Sequence, residues 1–298
     1  MQEVPKGKLL IIGGAEDVGD PEKLSEAQEE SRNFRNFEVL QELLPPDAKA
    51  DHRIEVITTA SEEPHEMGKK YQKAFERANI SNVGIIHIGN REEAKVPATV
   101  KRIEKASAVF FSGGDQFRLS TILGCSQVAD VINRKYIQEP GFIVGGTSAG
   151  AMAMSAIMIY GGDSSKGLLK GTVKISSGLG LIDHCIIDTH FINRGRFGRL
   201  AEAVIMNPSC IGLGLGEDTA LVIHNGNDAE CRGSGMVVVI DCKGLGHSNI
   251  AYVEEGTPVS AENLTVHLLT KGNGFTLKER KFIPAKKDID LEESIRSH

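Results

Sequence analysis

The chain has 298 residues, 40% hydrophobic and 25% charged, a globular composition with enough apolar content to bury a core without disulfides or a structural metal. Its net charge of −6 and pI near 5.9 argue against general nucleic-acid binding, which goes with a basic domain. No apolar stretch reaches membrane-spanning length, and the polar start Met1–Lys8, before the short run Leu9–Ile12, does not read as a secretory leader.

Lys8–Gly14 (KLLIIGG) reads as a first strand. Pro21–Leu44 reads as a long helix, with Leu24, Ala27, Ser31, Phe34, Phe37, Leu40 and Leu44 along one face. Arg53–Ala60 is a second strand, Pro64–Arg77 a second helix and Val83–Ile88 a third strand. Ala108–Ser112 is a fourth, running into Gly113-Gly114-Asp115 and a helix from about Gln116. Phe142–Gly146 is a fifth, followed by a helix over Ala149–Tyr160. This alternation predicts an α/β fold with a mostly parallel sheet covered by helices on both faces. In such sheets sites form at the carboxyl ends of strands, where Gly13-Gly14, Gly113-Gly114 and Gly145-Gly146 all fall.

The second half changes character. Cys185–Asp188 is a short strand, Arg194–Met206 a helix, and Gly212–Ile223 holds another strand. Met236–Asp241 and Leu264–Leu269 read as strands of a more antiparallel C-terminal part, with turns at Asn225-Gly226 and Lys271–Gly274. No linker, repeat or low-complexity segment is visible, so residues 1–298 read as one domain.

The run Phe142–Gly150 carries the strongest chemical signal. An apolar strand breaks into Gly146-Thr147-Ser148-Ala149-Gly150 and then a helix, the pattern of a nucleophile elbow. The flanking glycines let the backbone pass closely, and the following helix N-terminus offers free N–H groups to a developing negative charge. The pentapeptide alone equally fits a plain βα turn of small residues. A serine nucleophile also needs a base and an acid that orients it. Among nine histidines, His190 is the most suggestive, because it closes the buried strand Ile186–Asp188. Gly214–Ala220 places two carboxylates, Glu217 and Asp218, just before an apolar strand, and either fits the orienting role. The Ser112–Gln116 strand end offers backbone N–H groups that pair with that of Ala149 as an oxyanion hole. Arg194, Arg196 and Arg199 follow His190, and Arg196 and Arg199 share a helical face suited to clamping a carboxylate. The five cysteines form no C-x-x-C pair, and no Cys/His cluster has zinc-ligand spacing, so reduced buried thiols in a cytosol-like compartment are expected.

Taken together, the motifs IIGGAED (Ile11–Asp17), TTASEE (Thr58–Glu63), FSGGDQFR (Phe111–Arg118), GTSAGA (Gly146–Ala151), IDTHFINRGRFGRL (Ile187–Leu200) and GEDTAL (Gly216–Leu221) resemble the cyanophycinase family of serine peptidases, related to aspartyl dipeptidases. The resemblance implies a fold like the class I glutamine amidotransferases. It also implies Ser148 as nucleophile, His190 as general base and acid, and Glu217 as its orienter. Gly114 and Ala149 would donate the oxyanion N–H groups, and Gln116, Asp188, Arg194, Arg196 and Arg199 would line the substrate pocket. The order Ser…His…Glu differs from the Ser…Asp/Glu…His order of α/β-hydrolases. Where the family often reads Asp-Glu-Asp-Thr, this chain has Gly216-Glu217-Asp218-Thr219. The implied substrate is cyanophycin, a poly-aspartate with arginine on each β-carboxyl, cut to β-Asp-Arg dipeptides with no metal or cofactor. Family members are often dimers, so a cytoplasmic homodimer with no nucleic-acid or membrane partner is expected. A β-aspartyl or small-peptide peptidase and a catalytically dead binding protein on the same scaffold are the alternatives.

Overall fold

The computed structural model describes residues 3–19, 28, 31–32, 34–45, 52–162, 168–286 and 288–289. Fifteen strands appear among the described residues. The first five, β1 (Lys8–Ile12), β2 (Ile54–Ile57), β3 (Val83–Ile86), β4 (Ala108–Phe111) and β5 (Ile143–Thr147), lie side by side in the order β1-β5-β4-β2-β3, every pair parallel. These apolar runs do not alternate with polar residues because both faces are covered. In β1, Leu9 and Ile11 enter one core cluster while Leu10 and Ile12 enter the other. In β4, Val109 and Phe111 divide from Ala108 and Phe110 in the same way.

One face carries helix α2 (Pro64–Arg77), which buries Tyr71, Ala74 and Phe75, and the short α1 (Glu38–Gln41), which buries Val39 and Leu40. Part of the expected helix Pro21–Leu44 lies outside the described residues, and the rest is corrected: among its described residues Gln28 and Glu38–Gln41 are helical, residues 34–37 are irregular, and Phe37 at φ 58° breaks any helix running into α1. Helices α4 (Gln116–Leu123) and α5 (Gln127–Gln138) pack on the opposite face through Leu119, Leu123, Val128 and Ile132. Helix α3 (Pro97–Lys105), which opens with proline, and α5 add to the helices expected from the sequence.

Four antiparallel strands widen the parallel sheet beyond β1: β10 (Thr219–His224), β11 (Asp228–Gly233), β14 (Gly274–Thr276) and β15 (Lys281–Ile283). A second sheet has the order β13-β12-β9-β8, from β8 (Cys185–Asp188), β9 (Ile211–Leu215), β12 (Met236–Asp241) and β13 (Thr265–Thr270). The expected strand within Gly212–Ile223 is therefore two strands, β9 and β10, in different sheets. They separate at Gly216–Asp218, where Asp218 has φ 46°.

Two further helix expectations are corrected. After the elbow, helix α6 covers only Ala149–Met152, and Ile157–Gly161 is strand β6, paired with β7 (Lys174–Ser177). The Ser155 hydroxyl lies 3.0 Å from the Met152 carbonyl and 2.8 Å from that of Ile157, taking up backbone groups where the helix would continue. The Ile-Met-Ile-Tyr run then prefers the pleated conformation. Helix α7 covers Phe197–Met206, not Arg194–Met206, because Gly195 takes φ 57° and Arg196 becomes its N-cap.

Candidate active site

Ser148 sits between β5 and α6 with φ 51° and ψ −116°, a strained conformation that the surrounding structure must hold. It is built by close backbone packing. A Cβ on Gly146 would crowd the Gly150 backbone, and one on Gly150 would crowd the Phe111 carbonyl of β4. His190 follows β8 with φ 48°. Its Nε2 stands 3.0 Å from Ser148 Oγ, and its Nδ1 stands 2.6 Å from Glu217 Oε1. An imidazole protonated at Nδ1 donates to Glu217 and accepts the Ser148 hydroxyl proton at Nε2. This row of three is able to move a proton from a serine hydroxyl to an imidazole and back.

The side chains come from three segments, and one strand end holds all three. The Ile12 carbonyl accepts from the Ser148 N–H at 3.0 Å, the Gly13 carbonyl from the His190 N–H at 2.7 Å, and the Gly14 carbonyl from the Asp218 N–H at 2.9 Å. All three donors have positive φ, with Asp218 adjoining Glu217. A Cβ on Gly13 would overlap the Gly216 carbonyl, and one on Gly14 the His190 ring. The sequence marked Gly13-Gly14 as a strand end but gave it no part in the site. Its repeated glycine was the available signal, since only a residue without Cβ admits the imidazole there.

Two further residues of the IIGGAED segment support the site from below. Glu16, 6% exposed, accepts from the Tyr71 phenol at 2.5 Å and the Thr147 hydroxyl at 2.5 Å. Burial, with Glu16 beside it, pushes the Tyr71 phenol well up. Asp17 accepts from the N–H groups of Gly19 and Phe37, and its own N–H donates to Asp218 Oδ1 at 3.2 Å. Asp218 also accepts from the Ser234 hydroxyl at 2.5 Å. Burial drives its carboxyl up to about 6, against these hydrogen bonds. Of the two candidate acids it is therefore Glu217 that touches the imidazole.

Gly113 and Gly114 close the other side. A Cβ on Gly113 would stand 3.5 Å from Ser148 Cβ, so this loop runs directly beside the nucleophile. Gly114 is exposed with φ 143°, and a Cβ there would strike the Ala60 carbonyl. Neither the Gly114 nor the Ala149 N–H is spent on an acceptor among the described residues. Gln116 donates to the Ile159 carbonyl at 3.0 Å, which ties α4 to β6.

The remaining expected pocket residues divide. Asp188 is fully buried, and Arg199 grips it at both oxygens, Nε–Oδ2 2.6 Å and Nη2–Oδ1 2.5 Å. Arg199 is itself 5% exposed. In this structure these two form a buried ion pair behind His190. Arg196 leans on the same carboxylate at 3.2 Å and on the Thr189 carbonyl at 2.7 Å, with its Nε buried and unpartnered among the described residues. Burial lowers its guanidinium to about 10, opposed by Asp188. Arg196 and Arg199 thus do converge on one carboxylate, and in this structure it is that of Asp188. Arg194 is exposed and has no side-chain partner among the described residues.

Comparison with known proteins gives a consistent pattern. The profile of Peptidase family S51 matches residues 24–230. A cyanophycinase of Nostoc sp. is 34% identical over 95% of this chain and 90% of its own length. One from Synechococcus elongatus is 32% identical over 92% of this chain and 80% of its own. The crystal structure of a peptidase from an acI-B1 Actinobacterium superposes with a TM-score of 0.62 at 21% identity, covering 93% of this chain and 99% of that one, a likeness of fold. With a profile match over most of its length and relatives above 30% identity, the chain belongs to peptidase family S51.

Proposed function

We propose that this chain is a serine peptidase that hydrolyses cyanophycin to β-Asp-Arg dipeptides. The observation that carries the reading is the hydrogen-bonded row Ser148–His190–Glu217, at 3.0 and 2.6 Å, in a chain 34% identical to a cyanophycinase. Ser148 Oγ attacks the scissile carbonyl as its proton passes to His190 Nε2, and Glu217 stabilises the imidazolium through Nδ1. The oxyanion takes hydrogen bonds from the N–H groups of Gly114 and Ala149, each such donor being worth on the order of 10²–10³ in turnover. His190 returns the proton to the leaving amine as the carbon–nitrogen bond breaks. A water molecule then attacks the Ser148 ester, with His190 again taking and returning one proton. Arg194, exposed and unpaired among the described residues, supplies a cation for the carboxylates of the polymer backbone, and Arg196 stands behind it.

The reading includes a cytoplasmic homodimer. All five cysteines are free, which suits a reducing compartment. Among the described residues no helix is long and apolar enough to cross a membrane. Light scattering on purified protein tests the dimer.

The experiment is clearing of an insoluble cyanophycin suspension by wild type and Ser148→Ala, with mass detection of β-Asp-Arg. Dipeptide from the wild type alone is expected. Equal release by both proteins overturns the role of Ser148. No release by folded wild type overturns the substrate, and soluble β-aspartyl peptides then become the assay.

A further inference from the structure

Two aromatic side chains stand exposed beside the site, and catalysis as derived above does not use them. Phe117 is 41% exposed and Tyr160 39% exposed, yet their ring centroids are 4.9 Å apart with planes 32° from parallel. They come from different elements, the first turn of α4 and the end of β6. Each is fixed from behind. Asp115 caps α4 by accepting from the N–H groups of Phe117 at 2.7 Å and Arg118 at 3.1 Å. Gln116 Nε2 binds the Ile159 carbonyl at 3.0 Å, so the residues preceding the two rings are tied together.

The position of the pair is defined by the chain. Phe117 is three residues beyond Gly114, on the loop that passes Ser148. The segment entering β6 bridges that entering β8 in parallel, Ser155 to Ile182, so both strands end at the side of the molecule where His190 emerges. These chain positions put the paired rings on the side of the site that carries the Gly114 N–H. Among the described residues the cations seated over aromatic rings are Lys70 on Tyr71 and Lys135 on Phe142, so none of the described cations occupies this face. A paired aromatic surface held on that side of the site suits a flat, weakly hydrated cation, and guanidinium is that group among side chains.

Resting on the reading proposed above, we infer that Phe117 and Tyr160 form the stacking surface for the guanidinium group of the substrate's arginine. They are specificity-determining residues, and the chemistry at Ser148 does not need them.

The test compares a soluble β-Asp-Arg oligomer with the same oligomer carrying citrulline, a neutral analogue of the same shape. Wild type, Phe117→Leu, Tyr160→Leu, the double variant and Tyr160→Phe are assayed with both, after thermal melts show that each is folded. Expected for the double variant is a fall of about 5- to 30-fold in kcat/KM on the arginine oligomer, mostly in KM, with little change on citrulline. Tyr160→Phe keeps the ring and stays near wild type. Unchanged arginine cleavage by the double variant overturns the inference, as does an equal loss on both oligomers, which marks a packing role. Wild type cleaving neither oligomer overturns the substrate reading and this inference with it.

Discussion

The Thr147 hydroxyl donates to Glu16 at 2.5 Å, one residue before the nucleophile, and Tyr71 donates to the other oxygen of the same carboxylate. Helix α2, strand β5 and the loop after β1 therefore meet at one buried charge beneath the elbow. Glu16→Ala strands two buried hydroxyls, at about 1–3 kcal/mol each. The expected result is a melting temperature several degrees lower and a reduced kcat, since a 1 Å displacement of a reacting group costs about 10²-fold. Glu16→Gln retains an acceptor and the side-chain volume, so its losses are smaller on both measures.

Gly14 is the second case. Its φ of 102° disfavours any side chain, and a methyl there collides with the His190 ring. Gly14→Ala is expected to lower kcat by about 10²-fold or more, because the imidazole must leave the line between Ser148 and Glu217. Gly141→Ala is the control: its φ is 80°, but nothing lies within 4 Å of its added Cβ. The control pays only backbone strain, of order 1–3 kcal/mol, and keeps its turnover. Steady-state kinetics and melts of the two variants side by side check this.

Asp218 gives a pH dependence. Its carboxyl is raised from 3.8 to about 6 in the folded chain, chiefly by burial. The folded state therefore binds the proton more tightly than the unfolded state. This group favours folding most below about pH 4, and that advantage is lost as pH rises to about 6. Asn has no such titration. Relative to wild type, Asp218→Asn is expected to gain stability between pH 4 and 7, by up to about 3 kcal/mol. Denaturation across that range checks it, and a constant difference between the two proteins would contradict it. Asp17, Ser234 and Gln28 face the carboxyl and are present in both proteins.

The Asp188–Arg199 pair is expected to be structural. Arg199→Ala leaves a fully buried carboxylate with Arg196 as its remaining cation, and removing one partner of such a pair costs about 3–5 kcal/mol. Asp188→Asn with Arg199→Met removes both charges and recovers much of that loss. If Arg199→Ala melts like wild type and changes only KM, the pair belongs to the pocket after all.

The elbow was legible because its signal is local: an apolar run, two glycines, a serine and small residues occupy consecutive positions. His190 and the GEDT acids were legible as strand-end residues, but which carboxylate meets the imidazole depends on the chain leaving β9 for another sheet at Gly216. Periodicity does not record that step. The three arginines looked alike in sequence. Asp188, inside an apolar strand, decides which of them are occupied, and its reach of eleven residues to Arg199 crosses a turn. The part played by Ile12–Gly14 was the hardest to read, because it is performed by carbonyl oxygens that every residue carries. Helix α6 was overextended because small residues after a strand-turn are equally good at starting a helix and at letting one stop.

The same strand end sets an order of assembly during synthesis. β1, β4 and β5, with Ser148, leave the ribosome first. At the end of β1 the Ile12 carbonyl then has its donor, the Ser148 N–H, while the carbonyls of Gly13 and Gly14 wait for donors still to be made. His190 arrives with the second sheet. Glu217 arrives only with the crossover that sends β10 back to lie against β1. A nascent chain can thus hold a complete parallel core and an exposed serine while having neither base nor acid. The catalytic row is incomplete by construction until the C-terminal half closes on β1.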